Sequence, residues 1–337
     1  MKHQNIRDNE QGVAVVLEVL LAVVVLGAVG FAGYKVMKAR QAKTPAPAAA
    51  ATQPTIKTEA TAAEIWTKGD YAVKGAYADA DVVQIAAKQW RLYYASQPEG
   101  GKLEVYSATS PDGKTWTQEA GVRKTMATFP NVVKLADGSY RMYFQSAGVL
   151  KSAKSTDGLT FTDEAGTRID KTNDDNLVFD NVAAPTVMKQ TDGTYLMVYR
   201  GSIATPYKAS TPVPNQSTQL LMWASSPDGL TWTKKGIAVD SRNDTLVGNL
   251  DGPSLVTWDD KSVRVFATSY TGVYSFTLKD GKFGTGTLVY AGETTKDNMG
   301  YHGAPPGDPT LAKIDGTWYM YYGGPHDQNG IWYATLK

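Results

Sequence analysis

The chain contains no cysteine, which excludes disulfide staples and thiolate metal sites. It lacks a charge excess of either sign: 34 basic and 33 acidic side chains leave a net charge of +1. No basic footprint for nucleic acid follows, and nucleic acid is not expected as a partner. Gly284-Thr285-Gly286 is a lone Gly-x-Gly with no helix after it, so it carries no nucleotide signal. The acidic stretch 170–180 lacks EF-hand spacing. What the chain has in quantity is 32 glycines, 19 tyrosines and 8 tryptophans. Aromatic residues together with turn formers favour β structure.

One long apolar run is present, and it lies at the N-terminus. After a basic leader (1–11), residues 12–37 read GVAVVLEVLLAVVVLGAVGFAGYKVM, with Glu18 the one charge between Gly12 and Tyr34. That length predicts a transmembrane helix and exceeds a signal-peptide core. Residues 38–63 are rich in Ala, Pro and Thr without apolar periodicity, the pattern of a linker or stalk. Counting Lys2 and Arg7 before the span against Lys35, Lys38, Arg40 and Lys43 after it would leave the C-terminal part in the cytoplasm. A short basic leader, a glycine and an apolar helix with an early glutamate resemble a type IV pilin-like N-terminus. That resemblance implies cleavage after Gly12 and an outward-facing bulk. Glu18 is the sixth residue after Gly12, where the pilin pattern has it fifth, and Val13 replaces the usual phenylalanine. The expectation is a membrane-anchored chain whose large domain is extracellular.

From residue 64 onward the sequence repeats. Ser-Pro-Asp-Gly-Lys-Thr-Trp (110–116), Ser-Thr-Asp-Gly-Leu-Thr-Phe (155–161) and Ser-Pro-Asp-Gly-Leu-Thr-Trp (226–232) are near-copies of one turn. A second recurring unit is an apolar strand, a tight turn and an aromatic-rich strand, as in NVVKLADGSYRMYFQS (131–146). Aligned on Trp90, Tyr140, Tyr195, Val263 and Trp318, the five copies are 50, 55, 68 and 55 residues apart. A third strand follows each hairpin, and the Ser-x-Asp-Gly turn leads to a fourth. Four strands per unit, repeated five times, predict an all-β chain with a five-bladed β-propeller over 64–337. The fifth unit ends after three strands. Trp66-Thr67-Lys68-Gly69 echoes Trp232-Thr233-Lys234-Lys235 of the third unit, so residues 65–73 are expected to close the ring as the missing outer strand. Capping, positive φ and aromatic packing account for the Asp-Gly turns without any functional role.

Residues just before each inner strand of a propeller converge on a central funnel. Here they offer carboxylates from three blades: Asp79 or Asp81, Asp251 and Asp308. Three carboxylates on one cavity could serve as base, acid and pKa modulator for glycoside hydrolysis, since crowded like charges raise one pKa. Asn131 and Phe129 open the second blade, Arg200 ends the second strand of the third, and His302 precedes the fifth. All four, with Asp81, are candidate substrate-binding residues. For His302 a loop role, and for Arg200 a salt bridge or solvated position, are the alternatives. The insertion 203–217 lengthens the third blade and is a candidate pocket lip.

Five four-stranded blades with Asp-Pro or an acidic residue before Gly-Pro at inner-strand starts resemble the five-bladed glycoside hydrolases. These are the family 43 arabinanases and xylosidases, with the family 32 fructosidases more distant. The resemblance spans 65–337 and implies a carbohydrate partner and inverting hydrolysis. Asp79 matches the family's general base, with Ala80 where proline is usual. Asp251-Gly252-Pro253 matches its Glu-Gly-Pro general acid with a side chain one methylene shorter, a shift of roughly 1 Å. The modulating aspartate belongs at Ala184-Pro185, and Asp308 could replace it from another blade. The family 32 Arg-Asp-Pro and Glu-Cys motifs are absent. A non-catalytic glycan-binding or adhesion propeller is the alternative. No cofactor is required by either reading. The 170–180 stretch is either a solvated loop or a holder of structural calcium through oxygen ligands.

Overall fold

The computed structural model describes residues 66–96, 102–172, 177–207, 217–291, 293–296, 302–304, 306–324 and 329–336. The leader, the transmembrane segment 12–37 and the linker expected from sequence lie outside the described residues. Among the described residues, no helix is long and apolar enough to cross a membrane.

The described chain is a five-bladed β-propeller. From the axis outward, blade one comprises Tyr77–Ala86, Gln89–Ser96, Glu104–Ser110 and Thr117–Gln118. Blade two comprises Thr128–Lys134, Tyr140–Ser146, Val149–Ser155 and Thr162–Asp163. Blade three comprises Asn181–Lys189, Tyr195–Ile203, Thr218–Ser226 and Thr233–Val239. Blade four comprises Asp251–Thr257, Val263–Ser269 and Gly272–Lys279, with the short segments Lys282–Phe283 and Thr287–Tyr290 sharing its outer edge. Blade five takes Gly307–Ile314, Thr317–Gly323 and Gly330–Leu336 from the C-terminus, and its outer strand is Trp66–Lys74. That strand runs antiparallel to the last one, from Trp66 opposite Leu336 to Lys74 opposite Gly330. The ring is therefore closed by the strand that the Trp-Thr-Lys echo predicts.

Second strands are sandwiched on both faces by neighbouring blades, which is why they read as continuous apolar runs. In Gln89–Ser96 every residue after Gln89 is buried. Tyr93, Tyr143, Tyr199 and Tyr321 are among the largest fully buried side chains.

The repeated turn is the joint between blades. In blade three, Ser226 Oγ accepts the Gly229 N–H at 2.8 Å, and Asp228 Oδ1 accepts the N–H groups of Leu230 and Thr231, each at 2.8 Å. The Trp232 indole N–H donates back to Gly229 O at 3.2 Å. Blade two grips this turn from the side: Tyr143 donates its O–H to Gly229 O at 2.8 Å, and Arg141 Nη1 donates to Asp228 O at 3.1 Å. Arg141 is itself held by Glu164. The turn of blade two docks on blade one through Tyr93 and Arg91, and the turn of blade one docks on blade five through Tyr321. Blade four lacks the turn sequence. The positions facing it on blade three are Leu196 and Val198, which join an apolar cluster with Val265 and Phe276. A cavity of ≈ 570 Å³ remains between blades three and four.

Candidate functional site

The five inner strands begin with the same distortion. Each carries a register break against its second strand: Ala78/Asp81, Thr128/Asn131, Ala183/Thr186, Asp251/Ser254 and Gly307/Thr310. Inside each break one residue has positive φ: Asp79 (54°), Phe129 (50°), Ala184 (47°), Gly252 (53°) and Asp308 (44°). Non-glycine residues adopt this region rarely. Because all five blades share it, chemically inert Ala184 and Gly252 included, it belongs to the architecture.

Two residues further on, a polar side chain reaches to the next blade. Asp81 Oδ2 accepts Val132 N–H at 2.7 Å, Asn131 Oδ1 accepts Val187 N–H at 2.9 Å, Thr186 Oγ1 accepts Leu255 N–H at 3.0 Å, and Ser254 Oγ accepts Leu311 N–H at 3.1 Å. The Thr310 hydroxyl hydrogen-bonds to Asp81 and completes the circuit. Asn131 Nδ2 also donates to Asp81 Oδ1 at 2.9 Å. The axial cavity, lined by Asp79 and Asp308 as well as by the ring residues, has ≈ 30 Å³, room for roughly one or two waters and too small for a whole sugar. Asp81 and Asn131, expected from sequence to contact substrate, are buried and hydrogen-bonded in this ring, where they tie blades together. Burial pushes Asp81 up to about 7 despite the hydrogen bonds from Val132, Asn131, Thr310 and Val82 that lower it.

Above the ring the structure brings Asp79, Asp251, Asp308 and Arg200 together. Asp79 and Asp308 hold equivalent positions on adjoining blades, and both line the axial cavity. Phe129 N–H lies 3.4 Å from Asp79 Oδ2, while Asp79 Oδ1 is buried with no partner among the described residues' donors. Asp251 pairs with Arg200 Nη1 and accepts the N–H of Gly252 at 2.8 Å. The Arg200 guanidinium sits 5.2 Å from the centroid of the half-buried Phe129 ring, a cation–π contact that fixes its plane. Gly252 is required where it stands: a Cβ there would lie 2.2 Å from Asp308 Cα and 2.4 Å from Asp308 Oδ1.

The electrostatics follow from crowding. Burial, then the charge of Asp251, pushes Asp79 up to about 7, against opposing contributions from Phe129 N–H, Asp308 and Arg200. Burial, then the charges of Asp251 and Asp79, holds Asp308 well above the usual carboxylate range. Asp79 and Asp308 are thus biased toward their protonated forms beside the arginine-paired Asp251, the kind of crowding that tunes carboxyl groups for acid–base chemistry.

His302 opens the short strand His302–Ala304, opposite Lys296; its side chain lies outside the described residues, as do 208–216 of the blade-three insertion. In the 170–180 stretch, Asp170 accepts Lys234 Nζ at 2.8 Å, and residues 173–176 lie outside the described residues. Among the described residues no group of three or more His, Asp or Glu is arranged to hold a metal ion. The ring members Thr186, Ser254 and Thr310 escaped the sequence reading. Their signal is positional: each is the second residue after the positive-φ position that Asp79 occupies in blade one.

No family model matches the chain, and no curated protein matches it in sequence. Solved structures do match. A thermostable family-43 glycoside hydrolase superposes with a TM-score of 0.56 at 14% identity, covering 78% of this chain and 89% of that one. A glycoside hydrolase of the GH130 family of mannoside phosphorylases, one that targets β-1,2 mannosidic linkages in Candida mannan, superposes at 0.56 and 15% identity, covering 80% and 85%. The GH43_1 enzyme from Xanthomonas citri, complexed with xylose, superposes at 0.54 and 14% identity, covering 82% and 91%. In fold, the chain resembles the family 43 and family 130 propellers. At these identities the likeness is one of fold.

Proposed function

We propose that the propeller acts on carbohydrate as a glycoside hydrolase, with inversion at the anomeric carbon. The observation that carries this reading is the convergence of Asp79, Asp251 and Asp308 from three blades, with Arg200, on the funnel of a fold shared with glycoside hydrolases. Carboxyl groups in opposite protonation states are what the hydrolysis of a glycosidic bond uses. The test is hydrolysis by the full chain against aryl glycosides and plant and microbial polysaccharides, beside Asp79→Asn. Turnover lost in the variant supports the reading; turnover by neither chain refutes it.

A non-catalytic glycan-binding propeller is the second reading. Ala184 stands where the family 43 pattern has an aspartate. This favours recognition over turnover. Glycan-array binding without hydrolysis would select it. We further propose that residues 12–37 anchor the chain in a membrane with the propeller outside. Protease accessibility on intact cells tests the orientation, and the mass of the mature N-terminus tests cleavage after Gly12.

A further inference from the structure

We infer that Phe129 is a positioning residue: its ring sets the plane of the Arg200 guanidinium against Asp251, and a ligand feels Phe129 through Arg200. The sequence reading makes Phe129 a ligand contact in its own right, so the role is reassigned. What a ligand gains from it rests on the carbohydrate reading above.

Three observations carry it. The first is how Arg200 is held. The arginines of the blade joints close a fork on their carboxylates. Arg91 does so on Glu119 through Nε at 2.7 Å and Nη2 at 3.0 Å, and Arg141 on Glu164 through Nε at 2.8 Å and Nη2 at 2.9 Å. A fork fixes the plane of the guanidinium. Arg200 reaches Asp251 through Nη1, and its Nε–H is buried with no partner among the described residues. The Nε side of the fork is therefore open, and a contact at one nitrogen lets the guanidinium turn about it.

The second observation is what stops that turning. The Arg200 guanidinium lies over the Phe129 ring, 5.2 Å from its centroid. A cation over a ring face is attracted to it, and a planar guanidinium is oriented by it as well. The third is how firmly Phe129 itself is placed. It lies in the inner strand Thr128–Lys134, inside the register break that all five blades share, with its N–H 3.4 Å from Asp79 Oδ2. Arg200 stands opposite Ala183 on blade three, Phe129 belongs to blade two, and Asp251 opens blade four. One side chain thus spans three blades. The blade between presents the methyl group of Ala184 at the position where blade two presents the Phe129 ring. The pair keeps an accessible edge, 11% of the Arg200 side chain and 22% of the Asp251 side chain, so a ligand in the funnel can touch it.

Two measurements test this. The first needs no ligand: the arginine Nε–H NMR signals of the full chain labelled with 15N-arginine, the Arg200 signal being the one lost in Arg200→Gln. In the parent that proton is expected to be displaced by the ring current of Phe129. The displacement is expected to vanish in Phe129→Leu and to persist in Phe129→Tyr and in Asp251→Asn. An undisplaced signal in the parent, or a displacement that survives Phe129→Leu or disappears in Asp251→Asn, would overturn the positioning role. The second is a double-mutant cycle on a neutral oligosaccharide that the parent binds, read by calorimetry. Phe129→Leu and Arg200→Gln are each expected to weaken binding roughly tenfold, and Phe129→Tyr under about twofold. In the Arg200→Gln background Phe129→Leu is expected to cost nothing further, because its effect passes through the arginine. Losses that multiply in the double variant would make Phe129 a ligand contact and overturn the inference. If the parent binds no oligosaccharide, the carbohydrate reading falls, and the NMR pattern alone decides whether Phe129 positions Arg200.

Discussion

Gly252 shows how tightly single residues are fixed at the funnel. Its φ of 53° and the 2.2 Å that would separate a Cβ from Asp308 Cα leave no room for a side chain. Gly252→Ala is expected to destabilise the fold by about 2 kcal/mol or more, read as a fall in Tm; an unchanged Tm would contradict the close approach of blades four and five. The buried carboxyls set a pH dependence. Asp79 and Asp81 keep their protons up to about 7 when folded, and lose them near pH 4 when unfolded. Between about pH 4 and 7 the native state therefore binds more protons than the unfolded one, and stability falls as pH rises. Asp157 and Asp228, held at about 2 by the turn N–H groups, act in the opposite sense and only below about pH 4. Tm is expected to be highest near pH 4–5 and to decline toward neutrality, with a shallower decline in Asp81→Asn. A Tm that rises from pH 5 to 7 would refute this. At this scale the sequence revealed the carboxylates, because inner-strand starts converge in any propeller. It did not reveal that Asp81 and Asn131 are inter-blade ties, because the side chain-to-backbone bonds of the ring link residues 51 to 69 positions apart. Nor could it show which carboxylate Arg200 neutralises.

At the scale of elements, the Ser-x-Asp-Gly turn is a joint. Its polar residues satisfy the turn's own N–H groups, and its carbonyls receive donors from the preceding blade. Tyr93→Phe, Tyr143→Phe and Tyr321→Phe each leave a buried glycine carbonyl without its phenolic donor. Each is expected to cost about 1 kcal/mol. The costs should add, since the three sites lie at separate interfaces; denaturant unfolding of the triple variant measures the sum. A triple variant as stable as the parent would show that these contacts do not join the blades. The turns were readable because the same seven positions recur. Their docking partners were visible as the repeated Arg-x-Tyr of strands 89–96 and 140–146, yet nothing local says that this pair grips the following blade. Where blade four lost the turn, blade three carries Leu196 and Val198 instead, a compensation that becomes intelligible when both blades are seen together.

The whole molecule depends on its two ends meeting. Trp66–Lys74 supplies the fourth strand of a blade otherwise built from the C-terminus, and buries Trp66 and Val73 in doing so. Deleting residues 65–73 would open a sheet edge and strip those contacts, a loss on the order of a domain's whole stability. The shortened chain is expected to unfold far below the parent temperature; melting at the parent temperature would refute closure by this strand. The fold was legible at this scale because the five-fold periodicity runs through the whole described domain. The site was less so, because the resemblance implies a glutamate where Asp251 stands and an aspartate where Ala184 stands. The central claim is that carbohydrate occupies the carboxyl-lined funnel. Calorimetric titration of the full chain with xylo-, arabino- and manno-oligosaccharides, beside Asp308→Ala, tests it most directly. The expected result is saturable binding to at least one series, weakened roughly tenfold or more in the variant, about 1.4 kcal/mol. Absence of binding by the parent chain, or equal affinity in the variant, would contradict it.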